Sequence, residues 1–385
     1  MNIEKLFEAY YECRKNKRNT KSAIEFEMNY ERELFCLYDE VVSRSYTISP
    51  AIAFIVNHPV KREIFAGNFR DRVIHHYLIR ELNPFFEKLF IHDSYACRPW
   101  RWTLFGIRRA EKFVRSCSQG YTRDAFVLQL DIAWFFMSID RKKLLIRLST
   151  FVQDQFDAKN EDSSELIYLI TKILSHNPIN DCIIRGTRQD WVWLPKNKSL
   201  FFSLPGKWLP IGNLTSQVFA NFYMHILDIF IKKELSIKYY GRYVDDLLLI
   251  HNNREYLLSI ISQIRYFALD TLWLILHPKK IRFHHIRDGF PFLGAYIKPY
   301  RTYIGNRTKE NFYRKISTVS SLEQPKMIES SINSYLGILG HFSTFSLRKK
   351  CMGQFSDDFW QSFSLGEKYR KITHNRKDNV YFSKN

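Results

Sequence analysis

"GRYVDDLLLI", residues 241–250, sets two carboxylates, Asp245 and Asp246, side by side in a run that otherwise reads as buried strand. Two like charges ~4 Å apart repel by about 4 kcal/mol at an effective dielectric of 20, so the pair calls for a cation. In "KYYGRYVDDLLLIH" (238–251) apolar residues flank the pair on both sides, which predicts a β-hairpin carrying the aspartates at its tight connection. A bare Asp-Asp pair is more often an ordinary turn. Here "LQLDIAWFF" (128–136) offers a third carboxylate, Asp131, at the end of an apolar strand. Three carboxylates on neighbouring strands suit two Mg²⁺ ions about 4 Å apart, which activate an attacking hydroxyl and stabilise the leaving oxygen of an in-line phosphoryl displacement.

The whole chain narrows the chemistry further. Its 385 residues, 45% of them hydrophobic, are enough for two or three subdomains around a sizeable core. Lys plus Arg number 58 against 39 Asp plus Glu, so the expected partner is an acidic polymer, nucleic acid first, with a merely basic globule as the alternative. The most apolar window, Val218 to Ile231, is broken by Asn221, His225 and Asp228, which argues against a membrane span. The start, "MNIEKLFEAYYECRK", lacks the regions of a signal peptide, and a cytoplasmic location is expected. Cys13, Cys36, Cys97, Cys117, Cys182 and Cys351 form no close pair; they are expected reduced, half of them in the core. The pairs His75/His76 and His284/His285 read as positions on two faces of an element rather than metal ligands.

No internal repeat or long linker separates the parts. Residues 1–45 read as helical, with Leu6, Tyr10 and Cys13 on one side and "RKNKRNTK" (14–21) as a basic break, either solvated or touching phosphate. A helical pattern from Asp71 to Phe90 is interrupted at Pro84; 125–132 reads as a strand, and 140–152 as a helix that Asp140 caps. The stretch 153–210 is mixed. From Thr215 to Ile231, Phe219, Phe222, Ile226 and Phe230 recur at helical spacing and predict one buried face. Helices are expected over "MIESSINSYLGILGHF" (327–342) and "LRKKCMGQFSDDFWQSF" (347–363), then a polar basic tail at 366–385.

"YVDD" (243–246), with "LDIAWFFMSID" (130–140) ahead of it, resembles the catalytic motifs of reverse transcriptases. "KREIFAGNFRDRVIHH" (61–76), "LPIGNLTSQVFANFY" (209–223), "LHPKKIRF" (276–283) and "FLG" (292–294) stand in the order of that family. Within it, "IGNLTSQ" (211–217), "YTRDAFVLQLDI" (121–132), "FIHDSYACR" (90–98) and "SYLGILGHFSTFSLRKK" (334–350) most resemble the enzymes of diversity-generating retroelements, over roughly residues 1–350. Two departures stand out: "PWRWTLFG" (99–106) replaces a stretch usually rich in Lys and Gly, and Trp134 sits where smaller or polar residues are common.

The resemblance implies an α+β right-hand polymerase with a catalytic hairpin in the palm. Residues 1–120 would form the N-terminal region and fingers, 121–304 the palm with an insertion at 153–210, 305–365 a helical thumb and 366–385 the basic tail. It implies RNA-directed DNA polymerase activity by a two-metal mechanism, error-prone at template adenines and serving mutagenic retrohoming. The metal set would be Asp131, Ile132, Asp245 and Asp246, with two Mg²⁺ ions and Mn²⁺ as a substitute; Lys280 would be the proton donor to departing pyrophosphate. Lys61, Arg62 and Arg72 would clamp the triphosphate, Phe136 would block a nucleotide's 2′-hydroxyl, and Ile211, Gly212 and Gln217 would line the nucleotide site. Template RNA, primer, cDNA, dNTPs and a small basic accessory protein are the implied partners, with no membrane. Ile211 stands where accurate reverse transcriptases carry glutamine and removes a hydrogen bond worth about 1 kcal/mol, with Arg72 as a second contributor to infidelity; the alternative is that Ile211 only fills a sheet edge. Two other readings stay open: a defence-type or group II intron-like reverse transcriptase, and a non-catalytic nucleic-acid-binding protein.

Overall fold

Leu6, Ala9, Tyr10 and Cys13 form the buried face of α1 (Ile3–Arg14), and the Asn2 side chain caps it by accepting from the Lys5 amide. The computed structural model describes residues 1–15, 20–57, 60–319 and 324–375; the centre of the basic break, 16–19, lies outside them. Helices α2 (Lys21–Glu27) and α3 (Tyr30–Val42) follow. Strands β1 (Ile52–Val56) and β2 (Arg62–Ala66) pair antiparallel with Phe54 opposite Ile64. Helix α4 (Phe69–Leu89) then runs through Pro84 instead of stopping there. Proline takes a donor from the Arg80 carbonyl, but burial of Leu82, Phe85 and Phe86 around it holds the helix together.

Two compact units divide the chain: Met1–Gly106 with Leu128–Phe283, and Ile107–Val127 with His284–Asn385. Between α4 and the hairpin the chain forms α5 (Thr103–Cys117), β3 (Phe126–Asp131), the short α6 (Phe135–Ser138) and α7 (Arg141–Asp157). As expected, Asp140 caps α7, accepting from the Lys143 amide at 2.8 Å. Helix α8 (Ser164–Ser175) and the two-residue β4 (Ile183–Ile184), parallel to β1, belong to the stretch that the sequence left mixed. Buried Glu63 of β2 ties down residues 191–200 of that stretch by accepting from Trp191 Nε1 and Ser199 Oγ, each at 2.7 Å, and from the Leu200 amide.

Helix α9 (Leu214–Ile229) ends in a π-helical turn, Phe230–Glu234. Its expected apolar face is corrected: Phe219 and Phe222 are buried, Ile226 and Phe230 only half so, while Val218, Ala220, Tyr223, Met224 and Leu227 are buried as well. The helix is a nearly all-round core element. Strands β5 (Tyr239–Tyr243) and β6 (Asp246–His251), helix α10 (Arg254–Leu272) and strand β7 (Arg282–His285) complete a four-stranded sheet in the order β5-β6-β3-β7.

The second unit holds the meander β8 (Phe290–Phe292), β9 (Ala295–Lys298) and β10 (Arg301–Ile304). Helices α11 (Asn306–Thr318), α12 (Pro325–Leu339), α13 (Phe345–Met352) and α14 (Asp357–Ser362) surround a core that includes Phe312, Ile332, Leu336 and Cys351. The expected tail is corrected in part. Strands β11 (Phe363–Leu365) and β12 (Ile372–His374) pair antiparallel, and Ile372 is fully buried in this core. Residues 376–385 lie outside the described ones. Of the six free cysteines, Cys13 and Cys351 are buried, fewer than the half expected.

Candidate active site

The hairpin forms as its alternation demands. Tyr243 pairs with Asp246, so Val244 and Asp245 make a two-residue turn and Asp246 opens β6. Val244 has φ +55°, an uncommon conformation for a β-branched residue. Gly241 is required for another reason: a Cβ there would lie 2.3 Å from the Tyr95 hydroxyl oxygen.

What holds the turn is Arg242, which is completely buried. Its Nε and Nη2 donate to the Asp228 carboxylate at 2.7 and 2.6 Å, and Nη1 donates to the Asn221 side chain at 3.1 Å and to the Val244 carbonyl at 2.9 Å. Tyr240 adds a 2.6 Å bond to Asp228. The segment before α5 closes the cage: the Arg242 amide donates to the Asp93 carbonyl, its carbonyl accepts from the Tyr95 amide, and Asn221 donates to the Ala96 carbonyl. Burial alone would lower the Arg242 pKa; the Asp228 charge and hydrogen bonds, with Tyr240, leave it raised instead.

On the other side of the turn the three carboxylates share a single ion pair among the described residues. Asp131 ends β3, 9% exposed, and Lys280 Nζ lies 2.8 Å from its Oδ2. Its backbone carbonyl accepts from the His277 amide, which fixes the Lys280 loop against the strand. Burial, and then the Asp131 charge, push the Asp245 pKa up to about 6, against the opposing charges of Lys280 and Arg62. Burial, the charges of Asp245 and Asp131, and a hydrogen bond with Asp131 push Asp246 up to about 7, although its edge reaches solvent. Among the described residues no three Asp, Glu, His or Cys side chains are drawn tightly enough to hold a metal ion as they stand. The fit to divalent cations is one of charge: neighbouring carboxylates help to raise the pKa values of Asp245 and Asp246, and a cation is the group that opposes this.

The remaining candidates fall at several places. Ile132, buried, bridges to Leu276 beside the Lys280 loop. Phe136 is half-buried on α6, edge-on to Phe135 at 5.3 Å, and its carbonyl accepts from the Leu209 amide. Trp134, whose unusual size the sequence flagged, is exposed in a left-handed conformation before α6. Arg62 is exposed on β2 and its charge acts on Asp245. Lys61 is engaged elsewhere, donating to the Val192 carbonyl at 2.5 Å. Arg72 is half-buried in α4, its Nε without a hydrogen-bond partner among the described residues, and burial lowers its pKa. The Ile211 carbonyl accepts from the Phe65 amide. Gly212 has φ +130°, and a Cβ would meet the Phe65 carbonyl oxygen at 2.9 Å, so this turn is fitted to β2. Gln217 is exposed, its Oε1 2.7 Å from Cys97 Sγ.

A sheet that presents Asp131 at one strand end and an Asp-Asp turn on the adjoining hairpin, backed by α9 and α10, defines the palm of the right-hand polymerases. Residues 60–297, more than half of the chain, match the family model described as reverse transcriptase (RNA-dependent DNA polymerase), and the chain belongs to that family. Reverse transcriptases are RNA-directed DNA polymerases, act on template RNA and use divalent metal ions such as Mg²⁺. Among curated proteins the chain is similar to Protein YkfC of Escherichia coli (strain K12), 22% identical over 320 residues that cover 79% of each chain. Among solved structures it is similar to telomerase from Candida albicans in complex with a TWJ fragment of telomeric RNA, with a TM-score of 0.45, 10% identity and 81% of this chain covered. The chain spans 57% of the length of that telomerase chain. No helix among the described residues is long and apolar enough to cross a membrane.

Proposed function

We propose that this chain copies a template RNA into cDNA with errors concentrated at template adenines, as mutagenic retrohoming in a diversity-generating retroelement requires. The observation that carries the polymerase part is the contrast at one turn: a buried, fully paired Arg242 holds the turn through the Val244 carbonyl, while burial and neighbouring carboxylates raise the pKa values of Asp245 and Asp246 on it. Asp131, Asp245 and Asp246 would hold the divalent ions, with Ile132 beside them. The ions, when bound, supply Lewis-acid activation of the attacking hydroxyl and charge neutralisation at the phosphates.

The chain's own groups account for the rest of the chemistry. Lys280 Nζ, 2.8 Å from Asp131 Oδ2, is placed to donate a proton to the departing pyrophosphate. Arg62, exposed and acting on Asp245, is a fixed cation for the triphosphate, and Lys61 and Arg72 join it once Lys61 leaves the Val192 carbonyl. Phe136 narrows the space at the sugar.

The retroelement part is supported by "IGNLTSQ". Ile211 precedes the left-handed Gly212 and is tied to β2 of the fingers through the Phe65 amide. An isoleucine there offers no polar contact to a nucleotide, so a wrong pair loses less relative to a right one. Sequencing cDNA made by wild type and Ile211→Gln on one RNA template tests it. The expected result is a lower error rate at template adenines in an active Ile211→Gln enzyme; an unchanged adenine error rate refutes the reading.

A further inference from the structure

We infer that the second unit carries a groove that binds an unpaired stretch of RNA, built from α5, the turn after it and the β9–β10 hairpin. The groove is open, about 1080 Å³ in volume, and all its walls belong to residues 107–127 and 284–385. Arg108, Lys112 and Arg115 fall on one exposed face of α5 at helical spacing. Lys298 and Arg301, paired across the β9–β10 hairpin, face the same space and are exposed. Glu111 is the one acid among the lining residues, and none of the five cations is ion-paired among the described residues. Five exposed cations around one groove form a track for a polyanion.

Charge alone would fit any polyanion; the aromatic residues narrow the choice. Tyr300 sits at the tip of the β9–β10 hairpin with φ +63°, and Tyr121 in the turn after α5 with φ +70°. Both backbones adopt a conformation that costs a bulky residue energy, and together they bring the two rings to 4.5 Å at an angle of 53°. Tyr300 is nevertheless 81% exposed, so the pairing leaves a ring face open to the groove. An open aromatic face beside a cationic track is the arrangement that takes unstacked bases, because every base has a π-face and a duplex hides its own. The choice of RNA over DNA rests on the proposed copying of RNA; the preference for an unpaired strand does not.

The test uses the purified full chain and a fluorescein-labelled 12-nucleotide oligouridine RNA, read by anisotropy across a salt series. Tyr300→Ala is expected to weaken binding about tenfold, and Tyr300→Trp to keep it. Lys112→Ala with Arg115→Ala should reduce the slope of log affinity against log salt by about 1.4, two single-strand phosphate contacts. A 12-base-pair RNA duplex should be bound equally by wild type and Tyr300→Ala. Extension of a short pre-annealed template–primer, measured in parallel, reports on polymerisation: its absence in wild type counts against the proposed function and leaves the groove to the binding data. Three outcomes overturn the groove: affinity unchanged in Tyr300→Ala, a salt slope unchanged in the double variant, or tighter binding of the matching deoxyuridine oligomer. Unfolding midpoints of each variant that match wild type tie the losses to the surface.

Discussion

Two sets of charges lie on either side of one two-residue turn, and they are treated in opposite ways. Behind it, Arg242 and Asp228 are both fully buried, and their ionic hydrogen bonds meet donor to acceptor. In front, Asp131, Asp245 and Asp246 crowd one another with Lys280 and Arg62 as the nearby cations. A satisfied buried pair fixes geometry, since removing either partner strands the other. An unsatisfied cluster stores a need for a ligand. The rigid side positions the needy one.

The largest effect is expected in front. Asp245→Asn or Asp131→Asn removes charge without changing shape, and primer extension should fall on the order of a thousandfold or more. Unfolding by urea should show stability unchanged or slightly higher, because repulsion is relieved. Near-normal extension would erase the difference between the two sides.

Behind the turn, Arg242→Met leaves the buried Asp228 charge without its cation, the Tyr240 hydroxyl still donating to it, and urea unfolding should show a loss of about 3–5 kcal/mol. Adding Asp228→Asn should restore part of it, and extension should fail in the single variant through displacement of the turn. A loss below about 1 kcal/mol would mean that the cage holds nothing.

His75 shows a third treatment of a buried polar group, that of staying neutral. Burial lowers its pKa from 6.5 to about 3, with Thr215 Oγ1 3.5 Å from Nδ1. The unfolded chain then binds the proton more readily than the folded one, so this contribution is complete above about pH 6.5 and is lost as pH falls towards 3. Between pH 7.5 and 5 wild type should lose about 2 kcal/mol more than His75→Leu in denaturant unfolding, and parallel curves would contradict the neutral buried imidazole.

The smallest effect concerns the apolar wall in front. Phe136→Ala should lower the preference for dNTPs over rNTPs by about 10- to 100-fold, read as the ratio of kcat/KM values. An unchanged ratio makes Phe136 a packing residue only.

The front of the turn was legible in the sequence and the back was not. Asp131, Asp245 and Asp246 announce themselves as acids at the ends of apolar runs, and the alternation around them sets the register of β5 on β6. Asn221 and Asp228 were visible as interruptions of an apolar helix, and Arg242 as a cation inside an apolar strand. Each anomaly answers the other, since a buried charge needs a partner, but the pairing is tertiary and no spacing in the chain reveals it. The later part of the 153–210 stretch was opaque for a similar reason: Trp191 and Ser199 are ordered by Glu63, more than a hundred positions away. Pro84 misled because local propensity was outweighed by packing of Phe85 and Phe86. In the last twenty residues Ile372 is the signal that was available, an apolar residue in a polar stretch, and it locks β12 to the core.

The cage around Arg242 also has a consequence for how the chain folds. The β5–β6 hairpin is local and can close within microseconds, but Ser94, which lies 3.3 Å from the Arg242 guanidinium, is 148 positions away in the chain. Loop closure over such a distance is entropically costly before any contact rewards it, so the guanidinium loses its water only when the segments at 93–96, 221–228 and 242 have all met. The hairpin can therefore form before it is seated, and the turn that gathers the aspartates reaches its final geometry only once these long-range contacts are made.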